Sequence, residues 1–401
     1  MFTVEMFPAE YGDALWIEWG DAANPRRILI DCGKLRTAEP VARRIKAIAD
    51  NDENDACRFE LAILSHIDGD HIEGFLKLIN NMRVGTVPMD VGEFWFNGAP
   101  QLPEADAEDE PAGPGEVMPM DFGAVQGEML GAVFLDKELP WNLWSDSGPI
   151  FVPSTGALPV KELPGGMKLT LLGPSFSRLK KLRTKWDKDV AKWLEDKGRE
   201  LTQEELLDAL TERNEGGIFA FGAEEEIDVA SLIELKQRKD TSKHNGSSIA
   251  VLAEYEGSSI LLTGDAFWDD LVKAIERLQE ERGKSGQKLQ LDAFKLPHHG
   301  SRNNISEKLL AMLDCDTFLV STNGSLFNHP DTEAIARIVA GADRRDPEVL
   351  KARKVHLKFN YKSPETSVWE EADAAGEHLP TKWNFEPEYA ADGQPYKLDL
   401  S

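Results

Sequence analysis

The feature that most constrains this chain is a cluster of four metal-binding side chains within six residues, His66, Asp68, Asp70 and His71, directly after the apolar stretch Leu61 to Leu64. A short apolar run that ends in polar residues marks a buried strand, and loops at strand ends are where an α/β scaffold carries its functional groups. Side chains alternate along an extended loop, so His66, Asp68 and Asp70 are expected on one face and His71, at the start of a helix, on the other. One ion could then be held by His66 with Asp68 and a second by Asp70 with His71. A calcium loop also contains Asp-x-Asp, but it needs an acidic residue at its twelfth position, and counting from Asp68 that position is Ile79.

Two later strand ends carry residues of the same kind. Thr263-Gly264-Asp265 follows Ser259 to Leu262, and His298-His299-Gly300-Ser301 follows Lys295. A carboxylate placed as Asp265 is can set one oxygen on each of two ions about 3.5 to 4 Å apart, the separation found in two-metal hydrolases. One of His298 and His299 is expected to be a ligand.

Taken in order, these residues resemble the metallo-β-lactamase superfamily, and within it the branch that contains the hydrolase domain of the competence protein ComEC. The resemblance rests on Gly12-Asp13-Ala14, Ile30-Asp31-Cys32-Gly33, the His66-x-Asp68-x-Asp70-His71 run, Asn245-x-Ser247, Leu261-Leu262-Thr263-Gly264-Asp265, His298-His299-Gly300-Ser301 and His329-Pro330. It covers residues 12 to 330 and lapses in two insertions and the tail. It implies a four-layer αββα sandwich and two divalent metal ions, held by His66, Asp68, Asp70, His71, Asp265 and His299. His298 would donate a proton or touch substrate, and His329 would act as an acid or phosphate-binding group. With Asp70, these two histidines are the candidate catalytic residues. Asp13, Asp31 and Asn245 are expected behind the ligands, orienting them. His244 stands where many members carry a further metal histidine, so it is either an additional ligand or a surface histidine of a charged linker. His356 and His378 match no motif and are read as structural.

The 401 residues are expected to form one enlarged domain rather than several. Its parts are a strand-rich start, an irregular insertion over 86–166 with an acidic cluster (Glu104, Asp106, Glu108, Asp109, Glu110), a charged helical insertion over 175–243, and a tail over 361–401 that packs its aromatics on the body. Thr202 and Glu205 form a capping box in the second insertion. The stretch Arg178 to Lys192 holds seven Lys or Arg against two Asp and includes Trp186, either a solvated helix face or a basic patch for a phosphate backbone. Glu256-Gly257 reads as a hairpin turn, and Lys354 to Asn360 as a last strand.

A formal net charge of −26 opposes non-specific attraction to nucleic acid over most of the surface, although metal-binding carboxylates do not count against it. Three scattered cysteines argue against a disulfide framework, and no long apolar run is present, so a cytoplasmic protein with no membrane partner is expected. Replacing the superfamily's usual second histidine by Asp68 enriches the cage in hard oxygen ligands, which leaves zinc and manganese as joint candidates. Three functions follow: a metal-dependent phosphodiesterase or nuclease, with nucleic acid or another phosphodiester as substrate; a hydrolase of a small lactam, thioester or phosphodiester; or a partner-activated or non-catalytic subunit that binds a protein through its insertions.

Overall fold

The computed structural model describes residues 1–105, 122–197, 227–341, 344, 346–373 and 375–401. Two sheets dominate it. The first has strands β1 (Phe2–Met6), β2 (Leu15–Asp21) and β3 (Asn24–Ile30), then, after helix α1 (Ala38–Ala49), β4 (Leu61–Ile63). Helix α2 (Gly69–Arg83) leads to β5 (Phe94–Trp95). Helix α3 (Gly123–Asp136) precedes β6 (Val160–Glu162) and β7 (Lys168–Gly173), and the long α4 (Phe176–Lys197) follows. The second half runs β8 (Ala250–Tyr255), β9 (Ser258–Leu262), α5 (Trp268–Glu281), β10 (Ala293–Lys295), β11 (Thr317–Val320), α6 (Thr332–Ala340) and β12 (Val355–Phe359). It ends with β13 (Phe385–Tyr389) and β14 (Tyr396–Asp399).

The strand orders are β14-β1-β2-β3-β4-β5 in the first sheet and β13-β12-β11-β10-β9-β8-β7-β6 in the second. Val4, Ile17, Ile28 and Ile63 of the first sheet pack between the sheets against Leu169, Val251, Ile260, Leu262 and Leu319 of the second. Their strand neighbours point outward into helices: Trp16, Leu29 and Ala62 meet α1, α2 and α3, while Leu252, Leu261, Phe294 and Val320 meet α5 and α6. Strands buried on both faces have little room for polar side chains, and the result is a helix–sheet–sheet–helix stack of four layers. The expected four-layer αββα architecture is therefore present.

This packing fixes α2, and with it the metal-binding run. Ile72, Phe75, Leu76, Leu78 and Ile79 are fully buried, each stabilising by about 1.5–3 kcal/mol relative to exposure. Close backbone contact does the rest: a Cβ on Gly12 would stand 1.8 Å from the Asp70 carbonyl oxygen, so only glycine lets the first loop lie against the helix start. The β8–β9 hairpin turns at Glu256 and Gly257, both with positive φ, as its two-residue turn requires.

Three sequence expectations need correction. The 86–166 stretch is not irregular throughout, since it supplies β5, α3 and β6. The tail does not merely lie over the body: β13 extends the second sheet beside β12, and β14 pairs with β1, so residues after 361 close an edge of each sheet. Val355–Phe359 is a strand, as expected, but not the last. Asp106, Glu108, Asp109 and Glu110 and the capping box at Thr202 and Glu205 lie outside the described residues. Among those described, no helix is long and apolar enough to cross a membrane, and the three cysteines are free.

Candidate metal centre

Strands β3 and β4 run parallel in one sheet, and β9, β10 and β11 run parallel in the other. Their carboxyl ends deliver Asp31, then His66, and from the second sheet Asp265, His299 and, further along its loop, His329. Convergence of strand ends from two sheets brings together groups far apart in sequence, such as His66 and Asp265, 199 positions apart.

Asp265 stands at the centre, with its two oxygens facing different partners. Its Oδ1 lies 3.5 Å from His71 Nε2 and 3.8 Å from His299 Nε2. Asp70 Oδ2 joins that side, 3.2 Å from His299 Nε2 and 3.9 Å from His71 Nε2. Asp265 Oδ2 lies 3.5 Å from His66 Nε2 and 3.8 Å from His298 Nε2, and Asp68 Oδ2 completes this second side, 3.6 Å from His66 Nε2. The ligand atoms of His66, His71 and Asp265 fall within 4.8 Å of one another, as do those of Asp70, His71 and His299.

The donor set fits metal ions. His66 Nε2, His71 Nε2, His299 Nε2 and Asp265 Oδ1 are buried without any hydrogen-bond partner, a costly state for polar atoms that point at one another. Each of the three rings is tethered through its other nitrogen. His71 Nδ1 lies 2.8 Å from Asp31 Oδ2, His299 Nδ1 lies 2.9 Å from the Ser321 carbonyl, and His66 Nδ1 lies 3.0 Å from Ser65 Oγ. A ring that donates from Nδ1 leaves the lone pair on Nε2, the form in which imidazole binds a metal. Asp31 itself is pinned, accepting from Ser65 N at 2.7 Å and Ser65 Oγ at 2.6 Å.

The electrostatics point the same way. Burial would push the His71 and His299 rings down, but Asp265, with Asp31 and Asp70 beside His71 and Asp13 beside His299, holds both above the usual histidine value. Burial works against ionised Asp265, yet His298, His71, His299 and His66 hold it well below the usual carboxylate range. A cavity that stabilises this much anionic charge attracts cations, whether protons or metal ions.

Asp70 departs from the expected geometry. Helix α2 starts at Gly69 with Asp68 as its N-cap residue, so Asp70 and His71 both sit in the first helical turn rather than on alternate faces of an extended loop. The split into His66 with Asp68 and Asp70 with His71 nevertheless matches the two sides of Asp265. His298 and His299 both have positive φ, at 49° and 54°, a strained backbone for histidine that turns one ring to each side of Asp265.

Asp13 and Asn245, expected behind the ligands, lie beside the histidines of the cage. Asp13 Oδ1 lies 3.4 Å from His299 Nδ1, and its Oδ2 accepts from the buried Lys295 Nζ at 2.5 Å. Asn245 Nδ2 donates to Asp240 Oδ2 at 2.8 Å and lies 3.3 Å from His298 Nδ1. His244 is no surface histidine. It is 2% exposed, and its Nδ1 lies 2.6 Å from Asp68 Oδ1, an arrangement that places it behind the Asp68 carboxylate. His329 is buried, its ring 5.3 Å from that of His298, and burial pushes its pKa down, which leaves it neutral. His356 and His378 lie away from the cage, beside Glu386 and Thr381 respectively.

Several participants carry no motif. Asp240 faces His298 Nδ1 at 3.3 Å, Asn304 Oδ1 lies 3.1 Å from the same nitrogen, and Lys295 and Ser65 brace Asp13 and Asp31. Asn303-Asn304, just after His298 to Ser301, is the single local signal that could have drawn attention. Trp186, which sequence reading placed in a basic patch, is a core residue: it is 1% exposed and donates from Nε1 to Glu128 at 2.6 Å.

No protein-family model matches this chain, and no curated protein matches it. Among solved structures it is similar to the metallo-β-lactamase fold protein YhfI from Bacillus subtilis, at 11% identity and a TM-score of 0.38, over 99% of this chain and 100% of that one.

Proposed function

We propose that this protein is a metal-dependent hydrolase of phosphodiesters, acting as a phosphodiesterase or nuclease. The observation that carries the reading is the opposed use of the two Asp265 oxygens, each facing its own pair of histidine Nε2 atoms with a further aspartate alongside. His66, Asp68 and Asp265 would hold one ion; Asp70, His71, His299 and Asp265 would hold the other. Zinc or manganese held there would supply Lewis-acid chemistry, making hydroxide available near neutral pH and offsetting charge on the substrate.

The chain's own residues supply the proton chemistry. Burial would push His298 down, but Asp265 and then Asp240 hold it above the usual histidine value. Asp240 faces Nδ1, which leaves Nε2 towards the cage as the atom that passes a proton to a leaving oxygen. His329, neutral and next to His298, is available for a substrate oxygen. The ComEC-like order of motifs favours a phosphodiester over other substrates.

Helix α4 favours a polymeric one. Lys181, Lys185, Lys188 and Lys192 recur at spacings of four, three and four, which places them on one stripe of the helix, on a flank beside the buried face of Leu182, Trp186 and Trp193. In a chain of net charge −26, such a cationic stripe suits a phosphate backbone. The same net charge favours a second reading, a small diester, lactam or thioester as substrate. Incubation with Mn²⁺ and labelled single- and double-stranded DNA and RNA, beside a chromogenic diester and a lactam, tests both. Hydrolysis of the diester and at least one nucleic acid, abolished in Asp70→Ala, is expected. Turnover of the lactam alone would select the second reading, and inactivity on every substrate would favour the role of a partner-activated subunit.

A further inference from the structure

Helix α4 belongs to the charged insertion, yet it reaches the metal centre. Its apolar side is anchored in the helix layer of the first sheet, where Leu179, Leu182 and Trp186 are fully buried. The approach to α3 is so close that a Cβ on Gly127 would stand 2.2 Å from the Trp186 ring. On another flank, Arg178 Nε donates to Asp270 Oδ2 of α5 at 2.6 Å, so the helix is tied to both halves of the molecule. A helix held at two such points presents its remaining side chains at fixed positions.

One of these is Asp189. Lys185, one turn earlier, pairs with it at 2.5 Å, and its Oδ2 lies 3.6 Å from Nε2 of the buried His244. His244 Nδ1 in turn lies 2.6 Å from Asp68 Oδ1, while Asp68 Oδ2 faces His66 across the cage. A chain of contacts thus runs from Lys185 through Asp189 and His244 to the carboxylate at the open side of the centre.

We propose that Asp189 is a positioning residue for the outer metal site: it fixes the His244 ring, which holds Asp68 in the orientation that presents Oδ2 to an ion. The insertion helix is then part of the metal centre, and the fold of the two sheets alone is not enough to complete the outer site. The proposal rests on the two-ion reading given above. Partners that orient a metal ligand are typically worth about 10–100-fold in affinity.

The test is calorimetric titration of the metal-free full-length chain with Zn²⁺, in the parent protein and in Asp189→Ala and Asp189→Glu. Alanine is the stronger helix former, so α4 itself is not weakened by the first substitution. Two binding events are expected in the parent. Asp189→Ala should loosen the weaker event by about tenfold and leave the tighter one within twofold, which also reports that the protein is folded. Asp189→Glu, which keeps the carboxylate, should recover most of the loss. The proposal is overturned if Asp189→Ala leaves the weaker event unchanged, if both events loosen together, or if the glutamate variant behaves like the alanine. A parent protein that binds fewer than two ions overturns the two-ion reading itself, and this proposal with it.

Discussion

The two sides of Asp265 are built differently. Facing Oδ1, His71 and His299 are almost wholly buried, and their Nδ1 atoms end on Asp31 and the Ser321 carbonyl, groups that belong to the strand ends of the two sheets. Facing Oδ2, the Asp68 and His298 side chains keep 26% and 23% of their exposure, and their support comes from polar residues in loops and the insertion: His244 and Asp189 behind Asp68, Asp240, Asn245 and Asn304 around His298. The inner side is therefore fixed by the same packing that makes the fold. The outer side shares one buried strand-end residue, His66, and is otherwise assembled on top of that packing, within reach of solvent. On the two-ion reading proposed above, that contrast predicts a firmly held inner ion and a more exchangeable outer one.

Removing the shared residue should erase the difference. Asp265→Ala takes one ligand from each side, and the expected result is loss of two-ion occupancy by elemental analysis, with kcat/KM down by roughly 10³-fold, about 4 kcal/mol of transition-state stabilisation. Retention of two ions per chain would break the bridging reading. His298→Gln attacks only the outer face and keeps a hydrogen-bonding group there. Both ions should remain bound while kcat falls by about 10²-fold, the usual worth of a positioned general acid. A loss of bound metal in this variant would instead make His298 a ligand.

How much of this contrast the sequence reveals follows from where each residue gets its meaning. His66, Asp68, Asp70 and His71 are legible because four ligand-type residues crowd one strand end, and Asp265 and His299 because each follows its own apolar strand. The supporting groups are ordinary polar residues whose role exists only after folding: Asp68 and His244 meet across 176 positions, and Lys295 and Asp13 across 282. Helix α3 is hidden for a different reason. Apolar on most sides and interrupted by glycines, it lacks the periodic polar face that marks a surface helix. The last strands are hidden because edge strands tolerate charge and proline, as Phe385-Glu-Pro-Glu-Tyr389 does, and so look like a tail.

The inner tether can be loosened without removing a ligand. Asp31→Asn keeps the side-chain shape but weakens the hold on His71 Nδ1, and the tighter Zn²⁺ event should lose about 10–100-fold in affinity by calorimetric titration. The weaker event, supported from elsewhere, should move by less than threefold. Equal weakening of both would show that the two sides respond as one unit.

The mildest perturbation acts from outside the cage. Gly127 of α3 makes room for Trp186 of α4, and a methyl group there has no space, so Gly127→Ala forces the two helices apart at a cost of about 1–3 kcal/mol, visible as a lower melting temperature. Displacement of α4 carries Asp189 away from His244, so the outer ion should weaken by a few-fold, while the inner rings, tethered to Asp31, Asp13 and the Ser321 carbonyl, should keep their affinity. Calorimetric titration of the variant distinguishes this outcome from its opposite. If the inner ion weakened as much as the outer, the helix layer would be holding the whole centre, and the division drawn at Asp265 would be lost.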